Sequence, residues 1–120
     1  GGAIYVEYSE LSWSGSMLQK GNSAQYGGAL YLGDDVTVEA NGPTAFFSNK
    51  ALYDGGAIGA ADEAGTFDRH SSLIVNTSMN FTSNTCGGNG GDIDFSDIDV
   101  DVYGKIVFSS NSASSSGGAL

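Results

Sequence analysis

Apolar residues in this chain alternate with polar ones in short runs, and the runs return at a nearly constant interval. Eleven positions before Asn22, Asn49, Asn84 and Asn111 stand Leu11, Val38, Leu73 and Val100; nine before stand Trp13, Ala40, Val75 and Val102. Seven before are Gly15, Gly42, Thr77 and Gly104, which read as a turn, and five before are Met17, Thr44, Met79 and Ile106. Three before are Gln19, Phe46, Phe81 and Phe108. A spacing of two is the strand period, so each repeat holds one strand on either side of a turn. A third strand follows each Gly-Gly, carrying Ile4 with Val6, Leu30 with Leu32, Ile58 with Ala60 and Ile93 with Phe95. No window sustains a helical stripe.

The Gly-Gly pairs begin at Gly1, Gly27, Gly55, Gly90 and Gly117, in steps of 26, 28, 35 and 27 residues. Three short strands per repeat predict an all-β chain wound as a single-stranded parallel β-helix, a three-sided solenoid of about four coils of ~27 residues. The coils run at about 1–26, 27–54, 55–89 and 90–116, with 117–120 starting the next, in a single segment over 1–120. Because the chain opens on "GGAI" and closes on "GGAL", an excerpt of a longer protein is expected. Equivalent residues of successive coils then lie ~4.8 Å apart, and each coil covers the apolar interior of the next. Stacked Phe46, Phe81 and Phe108 would form an aromatic ladder. Asn22, Asn49, Asn84 and Asn111 would form an amide ladder at a corner where left-handed backbone is tolerated. Gly-Gly supplies positive φ and close approach at a second corner. Ala24, Ala51, Cys86 and Ala113 occupy one tight slot, which makes Cys86 a small buried residue.

Phe-x-x-Asn paired with Gly-Gly-Ala-Ile/Leu resembles the signature of the chlamydial polymorphic membrane proteins and related autotransporter-like passengers. "FFSN…GGAI", "FTSN…GGDI" and "FSSN…GGAL" carry it, and "LQKGN…GGAL" carries it with departures. Gln19 replaces the Phe of the first copy, and Asp92 replaces an Ala of the glycine motif. The resemblance implies a right-handed parallel β-helix exposed on a cell surface, of the kind that serves as an adhesin.

A hydrophobic share of 40% excludes a fully disordered polymer, and a formal charge of −10 with four basic residues excludes nucleic-acid binding and an anionic membrane surface. No apolar run is long enough for this segment to insert in a membrane. The acidic run "GGDIDFSDIDVDV" places Asp92, Asp94, Asp99 and Asp101 opposite the inward Ile93, Phe95, Val100 and Val102, with Asp97 near a corner. Carboxylates two apart on a strand are separated by ~6.8 Å, so the row is read either as a solvated face or as a calcium site. "GGNGGD" matches the start of the calcium-binding nonapeptide, but Asp94 stands where that motif needs an apolar residue. Arg69 and His70 fall in slots that are acidic in other coils, which makes them charge relief or a partner contact. The lone Cys86 says nothing of redox compartment.

Asn76 and Asn80 head the sequons "NTS" and "NFT", which matter for a eukaryotic secreted chain. In the slot of Asn80 the other coils carry Leu18, Ala45 and Val107, an outward apolar row suited to a lateral partner contact. Polysaccharide lyases and hydrolases also use this solenoid. Yet Lys20, Lys50 and Lys105 fall at three different repeat positions, and no long loops wall a cleft around the acidic row, so no catalytic residue is assigned. The reading is an extracellular or cell-surface structural block of a filament, coat or stalk, whose partners are neighbouring coils or copies of itself stacked end to end. Two alternatives stay open: an adhesin passenger that binds a surface protein or glycan, and a fragment of a carbohydrate-cleaving enzyme.

Overall fold

The computed structural model describes residues 1–61, 71–96 and 98–120, and among them every regular element is a strand. Asp97, Arg69 and His70 lie outside the described residues. The first coil holds β1 (Ile4–Val6), β2 (Glu10–Trp13), β3 (Met17–Lys20) and β4 (Ser23–Ala24). The second holds β5 (Leu30–Leu32), β6 (Thr37–Ala40), β7 (Thr44–Phe47) and β8 (Lys50–Ala51). The third holds β9 (Ile58–Ala61), β10 (Ser71–Val75), β11 (Ser78–Thr82) and β12 (Thr85–Cys86). The fourth holds β13 (Ile93–Ser96), β14 (Ile98–Val102), β15 (Lys105–Ser109) and β16 (Ser112–Ala113).

Equivalent strands of successive coils pair in parallel, giving the sheets β1-β5-β9-β13, β2-β6-β10-β14 and β3-β7-β11-β15 of a parallel β-helix. The register follows the repeat, as Phe46↔Phe81↔Phe108 and Val38↔Leu73↔Val100 show. Beyond these three walls, the two-residue strands make a narrow fourth sheet, β4-β8-β12-β16, just past the asparagine corner. Its inward side chains are Ala24, Ala51, Cys86 and Ala113, and small volume is what lets the chain turn there. Cys86 is buried, its Sγ–H donates to the Asn89 carbonyl at 3.1 Å, and burial pushes its thiol up. It packs as a small apolar residue.

The interior is a set of stacked rows. Leu30 and Ile58, Val38 and Leu73, and Phe46 and Phe81 are all buried. Phe46 and Phe81 stack with centroids 4.9 Å apart and planes within 6°, and Phe81 and Phe108 follow at 5.2 Å and 21°. Such stacking adds about 0.5–1.5 kcal/mol per pair beyond area burial. Gln19 begins this row and turns its Oε1 to accept from Asn22 Nδ2. Val100 and Val102 are in register with the buried Leu73 and Val75, but they lie in the outermost coil described and are 41% and 46% exposed.

One polar residue interrupts an apolar row without cost. Thr44 stands between Met17 and Met79, buried, where its Oγ1 accepts the Trp13 indole N–H at 2.8 Å and donates to the Gly42 carbonyl at 2.9 Å. Thr44→Val keeps the shape and removes both bonds, leaving the indole donor unpaired. A loss of about 1–2 kcal/mol is expected. Thermal melting followed through Trp13, the single tryptophan, would record it, with a shift of the native emission.

Candidate functional site

The asparagines form a directional ladder. Asn22 donates its backbone N–H and its Nδ2 to Asn49 Oδ1, both at 3.0 Å, and Asn49 does the same to Asn84 Oδ1 at 2.8 and 3.0 Å. Each amide also reaches back one coil, from Asn49 to the Gln19 carbonyl, Asn84 to Phe46 and Asn111 to Phe81. The left-handed residue is not the asparagine but the one before it: Gly21, Ser48, Ser83 and Ser110 have φ of 67°, 53°, 57° and 58°. That bend swings each asparagine inward, where Asn49 and Asn84 are buried. These residues belong to the scaffold.

Asp92 departs from the sequence reading. Grouped there with the outward acids, it is wholly buried beside the ladder, where Asn84 Nδ2 donates to its Oδ1 at 2.7 Å. Its Oδ2 is buried with no hydrogen-bond partner. Burial pushes its carboxyl up to about 7, against the smaller downward pull of the Asn84 bond. The Asn84–Asn111 rung is correspondingly long, 3.5 Å between Nδ2 and Oδ1. The reason for the inward placement is the bend after Gly-Gly. There two consecutive residues face the interior, as buried Ala29 with Leu30 and Ala57 with Ile58 show.

Among the described residues the remaining acids do not converge. Asp99 and Asp101 are exposed on β14, Asp94 is half-buried on β13, and burial and then the charge of Asp54 raise its carboxyl. Among the described residues no group of three or more His, Cys, Asp or Glu side chains could hold a metal ion. Of the expected calcium set, Asp92 is thus removed to the interior and Asp97 lies outside the described residues. Asn76 and Asn80 are exposed, and Asn76 Nδ2 donates to Asn41 Oδ1 at 2.7 Å. Leu18, Ala45, Asn80 and Val107 pair in register as one outward row, with Leu18 64% exposed.

Sequence reasoning missed the aromatic cluster on the Gly-Gly face. Tyr5 and Tyr31 pair across β1 and β5 and stack at 5.6 Å with planes 4° apart. Tyr26 meets Tyr31 at 6.4 Å and Tyr53 at 5.0 Å, so four rings form one strip. Burial and then a hydrogen bond to Glu7 push the Tyr5 hydroxyl up, and burial with the charges of Tyr26, Asp34 and Glu7 does so for Tyr31. The signal available was the outward parity shared by Tyr5 and Tyr31. Tyr26 and Tyr53 share a corner slot, each four residues after its landmark asparagine, but the matching positions Gly88 and Ser115 carry no ring, so the slot did not read as aromatic.

The model of the Chlamydia polymorphic membrane protein (Chlamydia_PMP) repeat matches residues 105–120, the span that contains Phe108, Asn111 and the final Gly-Gly-Ala-Leu. The chain is also 34% identical over 92 residues to the "Probable outer membrane protein pmp7" of Chlamydia pneumoniae, a match that covers 77% of this chain. It spans only 10% of that relative's length. No solved structure matches it. With the motif residues laid out coil by coil as ladder, core row and corner, the chain is a polymorphic membrane protein-like β-helix segment located at the cell surface.

Proposed function

We propose that the segment is a structural spacer, part of the stalk or coat of a surface protein, without catalytic machinery of its own. The observation that carries this reading is the use of the repeat-defining residues: Asn49 and Asn84 bond from coil to coil, Phe46 and Phe81 fill the interior, and Gly55 makes a bend with φ of 65°. A chain whose repeated chemistry is spent on stacking gains length by adding coils. Copies stacked end to end through matched coil faces are the partners this reading favours.

Removing one coil in register tests the role. The ladder repeats every 27 residues at the first rung, so deletion of residues 23–49 joins Asn22 to Lys50 and leaves the next rung in step. In the surface protein that contains this segment, that deletion should preserve folding and surface display. A deletion that runs on to residue 51 also removes Lys50 and Ala51, the partners of Thr85 and Cys86 in the corner sheet, and should impair both. Loss of a substrate-turnover activity from the in-register variant, with display intact, would overturn the spacer reading.

A further inference from the structure

We propose that the tyrosine strip is a docking face for a basic polypeptide, whose arginine and lysine side chains lie on the rings and pair with carboxylates at the flanks. Tyr5, Tyr26 and Tyr53 are 57%, 44% and 45% exposed, yet mutual stacking already orders their rings, which lowers the entropy lost on binding. A shallow groove of about 290 Å³ opens between Tyr5, Tyr26, Tyr31 and Gln25, with room for a long side chain.

Both flanks are acidic. At one, the Glu7 side chain and the Tyr5 hydroxyl meet over Gly33, each 3.3 Å from where a Cβ would stand there, and Asp34 is held alongside by the Tyr8 hydroxyl, which donates to its Oδ2 at 3.2 Å. At the other, Asp94 follows Tyr5, Tyr31 and Gly59 on a single outward row, and Asp54, next to Tyr53, acts on Asp94. Gly59 leaves that row low between the Tyr31 ring and the Asp94 carboxylate.

Charge decides the class of partner. At a formal −10, with the three lysines on β3, β8 and β15, the field attracts a basic chain, repels a sulfated glycan and gives a neutral glycan no advantage. The protein itself displays the contact in miniature: Lys20 Nζ sits 5.3 Å from the centroid of the Phe47 ring. Arginine should bind better than lysine, because its plane stacks on a ring while its fork meets a carboxylate. This face is independent of the spacer role, since a coil deletion reads display and not peptide binding.

The test immobilises the 120-residue chain and titrates it with an arginine–serine repeat peptide, its lysine counterpart and a neutral chito-oligosaccharide. The arginine peptide should bind most tightly. Tyr5→Ser/Tyr26→Ser/Tyr53→Ser should weaken it roughly tenfold, and the corresponding Phe variants should retain it. Asp99→Asn/Asp101→Asn, on another sheet, should change it less than about twofold. If the triple serine variant fails to melt cooperatively, the single variants Tyr5→Ser and Tyr53→Ser take its place. Equal loss in the Tyr and Asp99/Asp101 variants would mean nonspecific charge attraction and overturn the proposal. So would no peptide binding, or ring-dependent binding of the oligosaccharide alone.

Discussion

Gly56→Ala is expected to collapse the cooperative unfolding transition, with a loss of more than about 3 kcal/mol. A Cβ at this position would overlap the carbonyl oxygen of Gly91 and come within 2.8 Å of Thr85 N and O. These are backbone atoms held in the coil-to-coil ladder, where the Gly56 N–H itself donates to the Gly90 carbonyl at 3.1 Å. Neither neighbour can step aside by rotating a side chain, so the coils must part. Against a total stability of about 5–15 kcal/mol for a domain, the melting temperature should fall by more than about 10 °C. Gly15→Ala is the control, because its Cβ would meet nothing within 4 Å. It should melt at or slightly above the parent temperature. A Gly56→Ala protein that melts within about 2 °C of the parent would show that the coils are not in this close contact.

The second large effect lies at Asp92 and has a sign set by pH. Its carboxyl is raised from 3.8 to about 7 in the folded chain, so the folded state holds a proton that the unfolded state has already released between those values. Stability therefore falls as pH rises from about 4 to about 7 and is level above that, the reverse of a salt-bridged aspartate. A shift of about three units corresponds to at most roughly 4 kcal/mol. Asp92→Ala restores the residue found at Ala29, Ala57 and Ala119, removes the unpartnered Oδ2 and releases Asn84 to Asn111. At pH 8 it should stabilise the chain by about 2–4 kcal/mol, and at pH 4 by little or nothing. Urea titrations at the two pH values would check it. Equal effects at both would mean that Asp92 is not the titrating group.

The rows of the interior were legible because a solenoid presents the same environment once per coil. Leu73 could be placed from Val38, and Phe81 from Phe46, without knowing any distance. Alternation failed where the backbone bends. Asp92 is one residue from inward Ile93, and strict parity sends it outward, but the Gly-Gly corner turns both toward the core. The clue was present in the small apolar residues Ala29 and Ala57 at the same slot. The left-handed Ser48 and Ser83 were missed because serine carries no strong preference for that conformation. The tyrosine strip was hardest to read. Its rings come from two different segments of the coil, and outward positions are free of the packing that makes the repeat visible.

The direction of the asparagine ladder bears on how the chain acquires its shape. Asn49 needs the Asn84 oxygen from the coil after it and the Gln19 carbonyl from the coil before it, so no coil satisfies its own corner. An isolated coil would expose every one of these donors and gain none of the stacking. The smallest nucleus therefore spans at least two consecutive coils and closes loops of 27 to 35 residues before it is rewarded. Once that step is taken, each further coil finds a finished template of amides and rings. Growth then proceeds by addition, slow to begin and fast to continue.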